Sequence, residues 1–355
     1  MFYRETGTFR TSYAQDARIF PLPLDRVAVL ALLAFAFVVV PNVASHYLLM
    51  AILVPWLVLS LAALGQNIIT GYTGQLSIGS AGFMAVGAFA CYNFMLRIDG
   101  MPFLLAVLLA GLTAALVGIA FGLPSLRIRG LYLAVATLAA QFFIVWTLEK
   151  IGWFTNYDPA GVMTAQPMII LGYHFDTPAE KYLLVLAIVS VLALAAKNMV
   201  RSNVGRSWMA VRDMDVAAEV VGFRLTRTKL LAFAISSFYC GVAGALFGFA
   251  YLGTVEPSAF SILMSFQILF MVIIGGLATI LGSFIGAAFI LLLPIFLSNF
   301  FHMLFGGAFD QALLSAFEVL LFGAFIVFFL IVEPHGLARL WQVAKERLRL
   351  WPFPH

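Results

Sequence analysis

The sequence predicts an all-α, polytopic integral membrane protein with about ten transmembrane helices and cytoplasmic N- and C-termini. Three observations carry that expectation. Only 10% of the residues are charged and 63% are hydrophobic, with a mean hydropathy of +1.04, whereas a typical soluble domain is about 25% charged. A soluble globule of 355 residues cannot hide so much apolar surface. The apolar residues fall in runs of about 20, the length of a bilayer-crossing helix. The basic residues are concentrated in alternate connections between those runs.

Ten apolar segments follow in order: residues 26–41, 46–64, 75–96, 102–122, 130–149, 181–199, 229–252, 260–278, 281–300 and 313–332. Glycines interrupt or border the third, eighth and ninth. Residues 1–25 form a polar and aromatic tail, residues 26–333 a transmembrane domain and residues 334–355 a basic tail. No small-x-small cleavage site follows the first apolar run, so that run is expected to remain as an anchor. Cys91 and Cys240 lie inside apolar runs and are expected to be packed thiols.

Lys and Arg accumulate in cytoplasmic loops. With the N-terminus inside and ten spans, the inside pieces hold Arg4, Arg10, Arg18, Arg26, Arg127, Arg129, seven residues between Lys197 and Lys229, and Arg339, Lys345, Arg347 and Arg349. Of the 20 basic residues, only Arg97, Lys150 and Lys181 are left outside. The pI near 9.1 therefore reports sidedness and does not point to nucleic acid.

Two connections are long enough to matter. Residues 150–180, KIGWFTNYDPAGVMTAQPMIILGYHFDTPAE, are rich in turn formers and in aromatics that suit an interface. Residues 200–228 are basic and contain VRDMDVAAEVVGF. There Asp213 or Asp215 can cap a helix N-terminus, and Gly222 can close it in a left-handed cap. Met214, Ala217, Ala218 and Val221 fall at helical spacing and form an apolar stripe. Two turns are marginal in water alone. Such a helix either lies in a groove of another protein or lies flat on the bilayer, and physics alone leaves both open.

This loop is similar to the coupling loop of ABC importer permeases, whose Glu-Ala-Ala…Gly segment docks on an ATPase subunit. The matching residues are Ala217, Ala218, Glu219 and Gly222, in one stretch with Asp213 and Asp215. The wider string GRSWMAVRDMDVAAEVVGFRLTRTKLLAFAIS, together with GYTGQLSIGSAGFMAVGAF at 71–89 and LRIRGLYLAVATLA at 126–139, resembles the branched-chain amino acid permease family, the last string its M-type subunit. GVAGALFGF, IIGGLATILGSFIGA and EPHGLARL match as well. The family commonly has a histidine or another residue where this chain has Ser80, and its Gly-Gly-x-x-Gly-like external motif is TNYDPAG here.

The resemblance, over about residues 60–340, implies the permease subunit of an ATP-driven importer in the bacterial inner membrane. Its implied cargo is a branched-chain amino acid or a similar small polar solute, urea and short amides included. Its implied partners are two ABC ATPase subunits, an H-type permease in a heterodimer, and a periplasmic solute-binding protein. No cofactor is expected on this chain. None of its lysines follows a glycine, so it has no phosphate-binding G-x-x-x-x-G-K-[ST] loop; ATP and Mg²⁺ belong to the ATPases.

Polar groups inside the spans are the candidates for a substrate pathway: Gln75, Ser77, Ser80, Thr137, Gln141, Gln267 and Glu318. Each can equally hydrogen-bond a neighbouring helix. Uncharged lining suits a zwitterion or a neutral solute. Gly118/Gly122, Gly244/Gly248 and Gly282/Gly286 are small-xxx-small pairs expected to pack helices. The denser glycines at 71–82 and at Gly275–Gly276 are expected to form a pair of broken segments in two halves of the chain. The alternative function is an ion-coupled transporter or channel, for which Glu318 is a poor sole carboxylate. Enzyme signatures such as H-E-x-x-H and G-x-S-x-G are missing, the five histidines are scattered, and no catalytic residue or metal ligand set is expected.

Overall fold

Long apolar runs can bury their backbone polar groups only as helices, and the chain does so in order. The computed structural model of the protein describes residues 23–125, 130–158, 161–170, 172–305 and 336–350, with residues 11 and 12 and several positions between 317 and 331. Helix α1 (Pro23–Ala34) continues through a π turn into the short α2 (Val40–Val43). Helix α3 (Val54–Asn67) has π turns at both ends and completes the span Leu48–Tyr72. Then come α4 (Ser80–Arg97), α5 (Phe103–Ser125), α6 (Leu131–Lys150) and α7 (Pro178–Arg201). The polar loop holds α8 (Asn203–Asp213) and α9 (Asp215–Val220). Helix α10 (Leu225–Leu246) ends in the π turn Phe247–Leu252, and α11 (Ile262–Gly275), α12 (Ile280–Phe305) and α13 (Leu337–Leu350) complete the described helices.

Seven of these helical stretches are long and apolar enough to cross a membrane, and α11 is a shorter apolar helix. Helix α4 carries Ser80, Tyr92, Asn93 and Arg97 and falls outside that set, yet it is buried against α10 and α5. The expected segment at 313–332 lies largely outside the described residues. The chain is thus a polytopic helical membrane protein.

The most buried of the seven spans, those of α3 and α10, form the centre, with α4, α5, α11 and α12 around them. Glycines set the closest approaches. A Cβ at Gly244 would strike the main chain of Met84, and one at Gly87 the main chain of Gly241, so α4 and α10 touch backbone to backbone. Gly118 sits against Ser237, and both Gly282 and Gly286 against Gly275. The expected packing pairs behave as expected. Cys91 and Cys240 are buried free thiols.

Contacts sort the connections onto two faces. Arg212 meets Gly71 and Gly74, Ala278 meets Asn67 and Gly71, and Gly336 meets Gly276; these define face A. Arg97 bonds Trp153, and the strand β1 (Met163–Thr164) pairs antiparallel with β4 (Thr254–Val255); these define face B. A second small ribbon on face B joins β2 (Ile169–Ile170) to β3 (Tyr173–His174). The basic loop lies on face A and Arg97 on face B, as the charge count anticipates.

Two spans then turn back into the bundle, in opposite senses. The span Leu48–Tyr72 ends in a π turn on face A, passes Gly74 at φ 72°, and re-enters as extended chain over 74–79 before α4 starts at Ser80. The span Leu225–Leu252 ends in a π turn on face B, passes Gly253 at φ 71°, and re-enters through a 3₁₀ turn (Pro257–Phe260) before α11 starts. Glycine takes that left-handed backbone without a Cβ clash. At 1.5 Å per residue α11 is about 21 Å long, short of the ~30 Å hydrocarbon core, whereas α4 is about 27 Å, near its full depth. Both begin inside the bundle. The break matching Gly71–Gly82 is therefore 253–261. It is not the expected Gly275–Gly276, which instead forms the tight turn between α11 and α12: Gly276 has φ 121° and Gly275 carries the close approach to Gly282.

Candidate functional site

The starts of α4 and α11 meet in the interior. The first amide of α4 beyond Ser80, that of Ala81, donates to Ser265 Oγ on α11 at 2.9 Å. Ser265 Oγ in turn donates to Gln141 Oε1 on α6, whose amide nitrogen reaches the Phe260 carbonyl at 3.5 Å. One turn earlier on α6, Thr137 Oγ1 accepts from the Ile78 amide at 2.9 Å. Thr137 and Gln141, four apart and so on one helix face, brace the extended stretch from one side. Gly79 and Gly82 make this possible: a Cβ at Gly79 would lie 2.8 Å from the Thr137 carbonyl oxygen, and one at Gly82 3.2 Å from Gln141 Cα.

The other side is braced by α3. Gln66 Nε2 donates to the Ser77 carbonyl at 2.6 Å and to Thr70 Oγ1 at 2.9 Å. The Gln75 amide donates to Ile69 at 3.0 Å, and Thr70 Oγ1 to the Gln75 carbonyl at 3.3 Å. These bonds occupy the main chain freed by the break, as irregular backbone at membrane depth requires. Two side-chain groups are left over. Gln75 Nε2 and Ser80 Oγ are buried without a partner. An unmet buried polar group costs about 1–3 kcal/mol, so these two atoms keep unused bonding capacity in the interior.

Gln75, Ser77, Ser80, Thr137 and Gln141 thus form one cluster. Gln267 stands apart. It lines a smaller cavity of about 260 Å³ with Tyr251, Ser261 and Leu59. Glu318 lies outside the described residues. Ser265 and the Phe260 carbonyl complete the cluster without having been singled out from sequence; a serine within the apolar run SILMSFQILF was the available signal for the first.

On face A the stretch 213–222 has the expected C-terminal cap and an unexpected start. Helix α8 runs to Asp213, and Met214, extended at φ −160°, occupies the N-cap without a side-chain cap bond. Neither aspartate is the cap: Asp213 ends α8 and pairs with Arg212 at 2.9 Å, and Asp215 opens α9 and pairs with Lys229 at 3.8 Å. Gly222 closes α9 at φ 104°, with its amide on Glu219 and the Phe223 amide on Ala218, a Schellman arrangement. Ala218 is buried against the body, while Met214, Val216, Val220, Val221, Ala217 and Glu219 are exposed. Arg212 Nη1 donates to the Gly71 carbonyl at 3.3 Å, and the Cα of Gly74 rests on the Arg212 side chain, where a Cβ would lie 2.8 Å from Cγ. The α8–α9 stretch therefore touches the start of the broken segment directly.

Comparison with known proteins fits this architecture. Residues 48–330 match the family model described as the permease component of the branched-chain amino acid transport system. The chain belongs to that family. It is a transmembrane permease component, not a catalytic subunit. The permease is 28% identical over 297 residues to the high-affinity branched-chain amino acid transport system permease protein LivM of Salmonella typhimurium, covering 77% of this chain and 66% of that protein. The LivM of Escherichia coli is 27% identical over the same length and shares. The autoinducer 2 import system permease protein LsrC of Enterobacter sp. is 27% identical over 275 residues, 74% of this chain and 75% of that protein. The permease spans just under two thirds of the two LivM proteins it matches. No solved structure gives a significant match.

If Ser80 faces the solute, Ser80→Ala leaves the thermal midpoint of the purified permease unchanged or slightly higher, because its hydroxyl has no partner to lose. The same substitution raises the KM for uptake. A lowered midpoint with unchanged KM assigns Ser80 to packing instead.

Proposed function

We propose that this permease is the membrane subunit of an ATP-driven importer of a branched-chain amino acid or similar small polar solute in the bacterial inner membrane. Face A is cytoplasmic in this reading, which agrees with the basic residues gathered there. The observation that carries it is the exposed apolar surface of α9: Met214, Val216, Val220 and Val221 are 68%, 62%, 83% and 78% exposed on a capped two-turn helix held to the body by Ala218 and Arg212. Exposed apolar patches rimmed by charge mark interaction sites. The occupant proposed is an ABC ATPase subunit, two serving the complex, with a second, H-type permease completing the membrane part and a periplasmic binding protein delivering solute to face B.

Transport then works by population shift. ATPase closure moves α9, Arg212 carries the displacement to Gly71 and Gly74, and the stretch that bears Gln75, Ser77 and Ser80 changes its bracing against Thr137, Gln141 and Ser265. The cluster holds uncharged donors and acceptors, suited to the polar groups of a zwitterion. Uptake of radiolabelled leucine into proteoliposomes of the full complex tests the energy source. ATP enclosed on the ATPase side drives uptake that persists with a proton uncoupler. Uptake that needs an ion gradient and ignores ATP overturns the proposal.

A further inference from the structure

Away from the polar cluster, α5 and α6 both pack on α4 but barely meet each other. They leave a cleft of about 670 Å³ between them. Val86, Ala90 and Asn93 of α4 form its floor, Val117 of α5 and Phe143 of α6 its walls. It is apolar almost throughout, so it offers nothing to the charged ends of a zwitterionic solute. Its mouth is different. Arg97, at the face B end of α4, lies over the Trp153 ring with Cζ 3.5 Å from the centroid, and its Nη2 donates to the Trp153 carbonyl at 2.6 Å. Those two contacts fix the guanidinium at the mouth while its other N–H groups stay open. Among the described residues no carboxylate pairs with it.

One turn deeper, Asn93 spends both amide hydrogens on the Phe89 and Phe154 carbonyls, at 2.8 and 3.0 Å. Its Oδ1 is closed off from the cleft by the surrounding atoms. The cleft thus has an apolar slot and a pre-set cation at the membrane boundary. Tryptophan and arginine at that level are the residues that engage lipid headgroups, and a planar guanidinium is matched to phosphate oxygens.

We propose that the cleft seats one anionic phospholipid of the bilayer, of the phosphatidylglycerol class. An acyl chain fills the slot along α4 and the phosphate sits on Arg97, with the uncharged glycerol headgroup on its outer side. An apolar helix of another subunit would fill the slot but would leave the cation unmet.

The test uses the full-length permease purified in detergent and mixed with equal dioleoylphosphatidylglycerol and dioleoylphosphatidylcholine before native mass spectrometry. Wild type retains one phosphatidylglycerol in preference by about tenfold, because phosphatidylcholine offers Arg97 the same phosphate but sets a quaternary ammonium beside the guanidinium. Arg97→Gln erases the preference, and Ala90→Phe, which fills the floor, loses both lipids. Equal retention of the two lipids by wild type overturns the proposal. A second measurement needs neither variant: a photo-crosslinking amino acid at Phe143, within the complex in its native membrane, yields a phospholipid adduct. A polypeptide adduct there overturns the proposal in favour of a subunit interface.

Discussion

Arg212→Ala is expected to leave the ATPase bound and hydrolysing while solute uptake falls by about tenfold or more. The charge-assisted bond from Arg212 Nη1 to the Gly71 carbonyl is of the kind worth about 1.5–3 kcal/mol, and tenfold corresponds to about 1.4 kcal/mol. A cation also suits the exposed carbonyls where the π turn Ile68–Tyr72 ends. The link has reach beyond one bond. Gly71 is pressed on its other side against Ala278, in the turn between α11 and α12. Ala278 holds φ 58°, unusual for a residue with a Cβ, and its amide donates to Asn67 Oδ1 at 2.9 Å. Asn67 Nδ2 holds the same turn through the Thr279 carbonyl at 2.8 Å and Ser283 Oγ at 3.0 Å. One point on face A thus connects the coupling stretch to the segments that lead into α4 and out of α11. The readout is the ratio of solute moved to ATP hydrolysed in proteoliposomes, with Arg212→Lys intermediate because it keeps the charge and loses the fork. An unchanged ratio in Arg212→Ala removes Arg212 from the transmission path.

The second large effect concerns assembly of the bundle. Gly244→Val puts a branched side chain where only the Met84 main chain is available to yield. Backbone cannot swing aside as a side-chain rotamer can, so α4 and α10 must separate. Overpacking typically costs about 1–3 kcal/mol, and this contact lies at the upper end. The folded yield in membranes and the thermal midpoint in detergent both fall. Gly323→Ala, with open space around its Cα, is the matched control and leaves both unchanged. Equal behaviour of the two variants would contradict the backbone contact between α4 and α10.

Hydropathy made most of the helices legible, because length and composition decide which segments cross. The stretch GYTGQLSIGSAGF announced its break, since glycines and hydroxyls are dense in it and few lipid-facing helices tolerate them. Its counterpart, GTVEPSAFS at 253–261, did not. One glycine, one proline and one glutamate look like an ordinary outer loop, and only its return to Gln141 and Ala81 reveals a second broken segment. Gly275–Gly276 misled for the opposite reason: dense glycine there serves a turn and helix contact. Gly222 announced its positive φ, whereas the N-cap at Met214 could not be foreseen, because it depends on α8 running through to Asp213. Arg212 was visible only as one more basic residue. Its partner is the carbonyl of Gly71, 141 positions away, and no local pattern encodes that distance.

The central claim is that an ATPase subunit sits on α9. Val220, 83% exposed on that helix, is the place to ask. A single cysteine at Val220, in a permease with Cys91 and Cys240 replaced by alanine, is labelled with a benzophenone maleimide and irradiated in native membranes. A cross-link to an ABC ATPase, with a yield that changes when ATP is trapped, is the result expected. Reaction with lipid or solvent alone, in membranes where the ATPase is present and the permease is folded, would contradict it.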